Sequence, residues 1–338
     1  MQKKETSLLR KIQYRKVQFN KPNKRTMQQL LGDALSKLPV AKDRSEPIGA
    51  QAIEIRLICS VDNIEGFLCG SLASYERGKY QTVIGDDPLA KKLTISAVSP
   101  IKKNNIAQEF VPGVLYFAIS GNHIVLMQSA ALRASALENH IAWLLRSKCE
   151  LISNEEGFVL KDEPQPATRE KIRKSHVKSV SIGKPFMTEA SRSVTKDKGN
   201  LELTTNVKKF QPDGAFMTLI KDLLNDDDKF EKLGLDNNLF DGNLEVWIEI
   251  RYPKRSRSQK NNAIKLLDDI GIALRDLDDG DAMLKLNDGS IVKGKDLRIS
   301  SDIGVVIDEK GLPNESELFT AMAGWLMQQI KDEVIDPD

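Results

Sequence analysis

Apolar and polar residues alternate without a break from Leu244 to Tyr252. Leu244, Val246, Ile248, Ile250 and Tyr252 fall on one face, and Glu245, Trp247, Glu249 and Arg251 on the other, the two-residue period of a half-buried strand. Pro253 ends it, having no N–H to donate to a ladder. The segment that follows is cationic: Arg251, Lys254, Arg255, Arg257 and Lys260 stand together with no acid among them. A buried strand that delivers positive charge to its own exit can hold a polyanion. A solvated loop ahead of a helix has the same composition.

The same patterns run through the N-terminal half. Ile12–Phe19 is expected as a first strand, and Thr26–Leu38 as a short helix with the stripe Leu30, Leu31, Leu35 and Leu38, closed by Pro39. Gln51–Val61 alternates as a strand, with Phe67–Ala73 returning beside it, and the polar stretch Tyr75–Lys91 reads as a loop. Two apolar runs, Val114–Ile119 and His123–Met127, flank Ser120, Gly121 and Asn122, the signature of a tight hairpin. His123 opens the second run and is expected to be structural. Ser135–Ser147 follows as an amphipathic helix on Leu137, Ile141, Leu144 and Leu145.

Beyond residue 150 the pattern weakens. Glu155–Pro166 holds four acids and two prolines, and the next segment changes sign, with Arg169, Lys171, Arg173, Lys174 and Lys178 against Glu170. Residues 188–200 have almost no large apolar side chain, so burial cannot offset the entropy of ordering them, and a linker or insertion is expected. In the C-terminal half, Phe216–Leu224 and Ser258–Leu277 are expected as helices. Cations at the start of the second oppose the helix dipole but complement a bound phosphate. Ala282–Leu286 and Ser290–Val292 flank Asn287, Asp288 and Gly289, a hairpin turn, with Lys285, Lys293, Lys295 and Arg298 on or after it. Val305–Asp308 is a short strand. Asn314 caps a final helix, Glu317 stands three residues on, and Leu318, Met322, Trp325, Leu326, Ile330 and Val334 form one face. These elements describe an α+β protein. Three parts are expected: residues 1–150 as an N-terminal domain, 151–210 as a linker or insertion with a basic segment, and 211–338 as a C-terminal domain.

Composition narrows the chemistry. The 338 residues are 40% hydrophobic and 29% charged, with a net charge of only +2, so positive charge matters by its distribution. Residues 1–25 alone carry nine Lys and Arg against one Glu, a solvated start or a phosphate-contacting arm. Three scattered cysteines point to a reducing compartment and no zinc site. No apolar run approaches the roughly 18–20 residues of a membrane span, and the N-terminal stretch lacks the apolar core of a signal peptide. A cytoplasmic protein is expected. Phosphate loops, HExxH, paired CxxC and GxSxG are missing. Gly289–Lys295 comes nearest to a phosphate loop, but Asp296 follows where Ser or Thr would hold the metal. The acidic run Asp276, Asp278, Asp279 and Asp281 is an exposed turn, a charge-mediated contact, or the carboxylates of a Mg²⁺-dependent nuclease with Lys285 at hand. It does not match a calcium loop, because Gly280 falls one place early and no glutamate closes it.

Four stretches carry a resemblance in the same order along the chain: GVLYFAISGNHIVLMQS with LENHIAWLL, FDGNLEVWIEIRYPKRSRSQKNNAIKLLDDI, GDAMLKLNDGSI, and DEKGLPNESELFTAMAGWLMQQIKDEV. They resemble the RexA-like phage-exclusion proteins of lambda-type prophages. This chain is longer, with additions near residues 185–210, and its last hairpin keeps Lys285 but has Asn287 where a second cation is usual. The resemblance implies a cytoplasmic homodimer that binds double-stranded DNA without sequence specificity and acts with a small membrane-channel partner. It implies no cofactor and no catalytic role. The expected contacts are Arg251, Lys254, Arg255, Arg257 and Lys260, then Lys285, Lys293 and Lys295, then Arg169, Lys171, Arg173 and Lys174, since phosphate contacts need charge and reach, not base-edge geometry. A protein-binding module whose cations meet acidic partners is the rival outside nucleic-acid binding.

Overall fold

A computed structural model of the chain describes residues 6–49, 51–84, 95–103, 106–175, 177–185, 190–191, 206–207, 245–251 and 282–337. The expected helices 216–224 and 258–277, Lys254, Arg255, Arg257, Lys260 and the carboxylates at 276–281 lie outside the described residues. Within them, helices pack on antiparallel sheets, an α+β arrangement. No helix among the described residues is long and apolar enough to cross a membrane.

The main sheet has eight strands: β1 (Thr6–Phe19), β2 (Glu46–Ile48), β3 (Glu54–Ile64), β4 (Phe67–Glu76), β9 (Gly113–Ser120), β10 (His123–Met127), β11 (Phe158–Lys161) and β18 (Ser300–Ile307). Between β4 and β9 lie β5 (Gln81–Ile84) and β6 (Ile95–Val98), which pair with each other, and β7 (Lys102–Lys103) and β8 (Ile106–Ala107), which do the same. Part of the expected loop 75–91 is therefore a short ribbon. The order is β11-β1-β10-β9-β4-β3-β2, with β18 also on β1. Three helices serve this sheet: α1 (Met27–Lys37), α2 (Ala134–Trp143) and, after α3 (Pro166–Ser175), α4 (Glu315–Lys331).

The apolar run through β9 has a physical reason. Leu115, Phe117 and Ile119 join a core with Leu30 and Leu31 of α1 and Leu137 and Ile141 of α2. The intervening Tyr116 and Ala118 join another core with Phe319, Met322 and Leu326 of α4. The central strands are thus buried on both faces, and alternation disappears where both faces need apolar side chains. Each fully buried Leu, Ile or Phe contributes roughly 1.5–3 kcal/mol. Phe117 also explains Gly70 on the facing strand β4. A Cβ there would stand 2.7 Å from the Phe117 ring and 2.7 Å from the Ser60 carbonyl oxygen.

The α1 boundary follows its cap. Thr26 accepts from the Gln29 amide at 3.3 Å, and Gln29 returns a bond to the Thr26 N–H at 3.0 Å, a reciprocal cap that satisfies two donors left over at a helix start. Asn314 caps α4 in turn, accepting from the Glu317 N–H and donating to its carboxylate at 2.8 Å.

The last strand and helix depart from the expected grouping with residues 211–338. β18 runs antiparallel along the first half of β1, from Thr6 opposite Ile307 to Gln13 opposite Ser300, and α4 covers the adjoining face. Sequence pattern names a strand but not its neighbour, which is why this pairing could not be read from it. Three buried charges lie at the junction. Arg15 of β1 (0% exposed) forms an ion pair with Asp162 (2%), and the Arg298 Nε (4%) lies 3.6 Å from the other oxygen of the same carboxylate. Removing that anion takes this counter-charge from two buried cations. Asp162→Asn is therefore expected to cost about 3–5 kcal/mol in urea unfolding, while the combined replacement Arg15→Met, Asp162→Leu and Arg298→Leu costs less.

A second buried polar contact fastens the edge strand β2. His140 of α2 is fully buried, with Nδ1 2.9 Å from a Glu46 carboxylate oxygen and Nε2 without a partner among the described residues. The neutral ring with its proton on Nδ1 suits this arrangement, because Nε2 then presents a lone pair and not a buried N–H. Burial pushes the pKa below the ordinary 6.5, and Glu46 opposes this more weakly. The unfolded chain therefore takes up the proton first as pH falls. This contribution to stability should be intact above pH 6.5 and lost below it, by at most about 1.4 kcal/mol per pH unit. His140→Gln should flatten that part of a stability–pH profile, and an unchanged profile would count against the assignment.

Candidate nucleic-acid interface

Strand β12 (Val177–Pro185) leads into a second sheet with β15 (Glu245–Arg251), β16 (Ala282–Leu286) and β17 (Ile291–Lys293), in the order β15-β12-β16-β17. Two short strands between them, β13 (Ala190–Ser191) and β14 (Asn206–Val207), pair only with each other. The strand expected over Leu244–Tyr252 and the hairpin expected over 282–292 are both present. The register decides which residues share a face. Ile250, Val180, Leu284 and Val292 form one row across the four strands, and Leu284 and Val292 are buried. The neighbouring row is Arg251, Ser179, Lys285 and Ile291, and two residues along comes Glu249, Ser181, Met283 and Lys293. Successive residues alternate between faces, so Arg251, Lys285 and Lys293 occupy positions on the face opposite the apolar row. Lys285 and Lys293 are exposed. Arg251 and Lys285 flank Ser179 two strand spacings apart, roughly 10 Å. Glu249 occupies a position on the same face.

Helix α3 brings the third predicted group beside this hairpin. Its one buried side chain is Ile172, and Lys171, Arg173 and Lys174 are exposed. The helix end is tied to the β16–β17 turn: Asn287 donates to the Ser175 carbonyl oxygen at 3.0 Å, and the Ser175 hydroxyl donates to Asp288 at 2.6 Å. Asn287, which stands where a second cation would be expected, is thus engaged with the helix end.

Not every predicted cation is available. Arg169 bridges Glu163 at 3.1 Å and Asp336 at 3.3 Å, which ties α3 to the preceding segment and to the C-terminal stretch. Lys174 lies 3.3 Å from Glu170 one turn earlier, an exposed pair that contributes little. Lys295 sits in the 3₁₀ turn Gly294–Leu297. Arg298, counted among the hairpin cations, is buried against Asp162, and so is Arg15 from the cationic N-terminal stretch. One signal for Arg15 was visible in the sequence: it occupies the same strand face as Val17, where a core residue is expected.

His123 is structural, as expected. It is buried, and the Tyr14 hydroxyl lies 2.7 Å from its Nδ1. No family model matches the chain, and no curated protein matches it.

The turn also holds a perturbed acid. Asp288 is pulled down to about 2 by the Ser175 hydroxyl first, then by the hydroxyl and amide of Ser290, with a smaller effect from Lys171. A depressed carboxylate stabilises the fold above its unfolded value of 3.8, and this is lost as pH falls towards about 2. Ser175→Ala should raise the Asp288 pKa towards 3.8 in a carboxyl NMR titration. An unmoved value would leave Ser290 and Lys171 as its determinants.

Proposed function

We propose that this protein binds DNA without sequence specificity, through backbone phosphates, and serves prophage-encoded phage exclusion. The observation that carries the binding part is the register of the second sheet, which sets Arg251, Lys285 and Lys293 at positions on one face. The exposed Lys171, Arg173 and Lys174 of α3 stand beside the same hairpin. Flexible cations spread over a sheet and a helix suit a repeating phosphate backbone, which asks for charge and reach. The phage-exclusion part rests on the resemblance to RexA-like proteins. With it come double-stranded DNA as the partner, a homodimer, a cytoplasmic location and a small membrane-channel partner. We assign two units, the eight-stranded sheet with its helices, β18 and α4 included, and the four-stranded sheet that carries the cations. The chain has no catalytic role in this reading.

The test is a DNA titration across a salt series, wild type beside Arg251→Glu/Lys285→Glu/Lys293→Glu, in EDTA and again with Mg²⁺. Contact with about six phosphates should weaken binding by roughly three orders of magnitude between about 50 and 200 mM salt. The triple variant should bind more weakly with a shallower slope. No binding at low salt would overturn the proposal and favour a protein-binding module. Mg²⁺-dependent cutting lost in Asp278→Ala would favour a nuclease.

A further inference from the structure

A cavity of about 540 Å³ opens between one side of α1 and the ends of β3 and β4, within the range of small-molecule sites. It is independent of the cationic sheet. Its lining is mixed. Leu35, Val61 and Leu68 supply apolar surface, while Gln29, Ser36 and Asn63 supply amide and hydroxyl groups. Two features of this lining suit a ligand.

The first is Arg44, which lines the cavity and is only 7% exposed. Its guanidinium donates to three backbone carbonyls: Leu38 at 3.1 Å, Pro39 at 3.0 Å and Ile58 at 3.4 Å. These bonds clamp the end of α1 to β3 and fix the plane of the group. A guanidinium has five N–H donors, so two remain. No carboxylate among the described residues comes within the 4.0 Å of an ion pair. Burial pushes the pKa of Arg44 down, opposed more weakly by Cys59 and Asp43. A buried cation whose hydrogen bonds among the described residues all go to backbone carbonyls gains from an anion placed against it.

The second is Gly32, inside α1 and on the cavity wall. Glycine within a helix costs roughly 0.5–1 kcal/mol relative to alanine. Among the described residues nothing requires it, since a Cβ at this position would meet no atom within 4 Å. Its effect is to leave the space beside α1 clear.

We propose that this cavity binds a small oxyanionic ligand, a carboxylate or phosphate ester with a compact apolar body. The anionic head takes the free N–H groups of Arg44, and the body lies over Gly32 against Leu35 and Val61. Because Arg44 is also a clamp, its removal tests folding as much as binding. The informative variant is Gly32→Met, which fills the cavity and leaves the clamp in place. The full chain is titrated with benzoate, phenyl phosphate, inorganic phosphate and the uncharged benzyl alcohol, followed by amide shifts of Gly32, Ser36 and Arg44.

At least one of the two aromatic anions should bind with Kd on the order of 1 mM or tighter. Gly32→Met should fold with undiminished Tm and bind that probe at least tenfold more weakly. The stronger of benzoate and phenyl phosphate identifies the head group. Absence of binding by every probe, equal binding of benzyl alcohol, or unchanged binding in Gly32→Met would each overturn the proposal. None of these results bears on the proposed DNA binding, which is assigned to the second sheet and α3.

Discussion

Three charged side chains from distant parts of the chain meet where water is excluded, and the main sheet is assembled around their meeting. Arg15 comes from the first strand, Asp162 from the segment after β11, and Arg298 from the approach to β18. A buried charge is costly until its partners arrive, so this contact favours only the arrangement in which all three segments are docked. The backbone confirms the junction. The Tyr14 N–H donates to the Ile299 carbonyl at 2.9 Å, and the Ile299 N–H donates to that of Glu163 at 3.0 Å. The far end of the chain is thereby stitched to its beginning, and α4 is delivered to one face of the sheet.

That delivery determines the layering. With α1 and α2 on one face and α4 on the other, β9 and β10 have no solvent face, which accounts for their continuous apolar runs. His140 and Glu46 play a smaller version of the same role at the sheet edge, joining β2 to α2. In both places a buried charged or polar side chain meets a specific partner from a distant segment, and each contact selects a pairing that apolar packing alone would leave less defined.

Burial also sorts the cations. Arg15 and Arg298 serve the interior, Arg44 clamps a helix end to a strand, and Arg169 ties α3 to Glu163 and Asp336. The described lysines of the hairpin and α3 remain at the surface. The division matches the chemistry of the two side chains. A planar guanidinium with five donors satisfies carbonyls and carboxylates in a buried setting, whereas a lysine is more strongly hydrated and stays in water. The proposed phosphate contacts, made largely by lysine, need charge more than geometry.

Much of this was legible in the sequence. Periods of two and of about three and a half placed β15, α1 and α4, because those periods are imposed by local backbone geometry, and turn residues between apolar runs placed the β9–β10 and β16–β17 hairpins. The cap at Asn314 was local in the same sense. Long-range pairing was not legible: which strand lies beside which, and which arginine turns inward. The alternation of 244–252 put Arg251 on a polar face, but only the register with β12 and β16 set it across from Lys285. Nor could the sequence show that Gly32 and Arg44, twelve residues apart, line one cavity. Strand neighbours and buried ion pairs are decided by the free energy of excluding water from the whole assembly, and no window of local sequence contains that quantity.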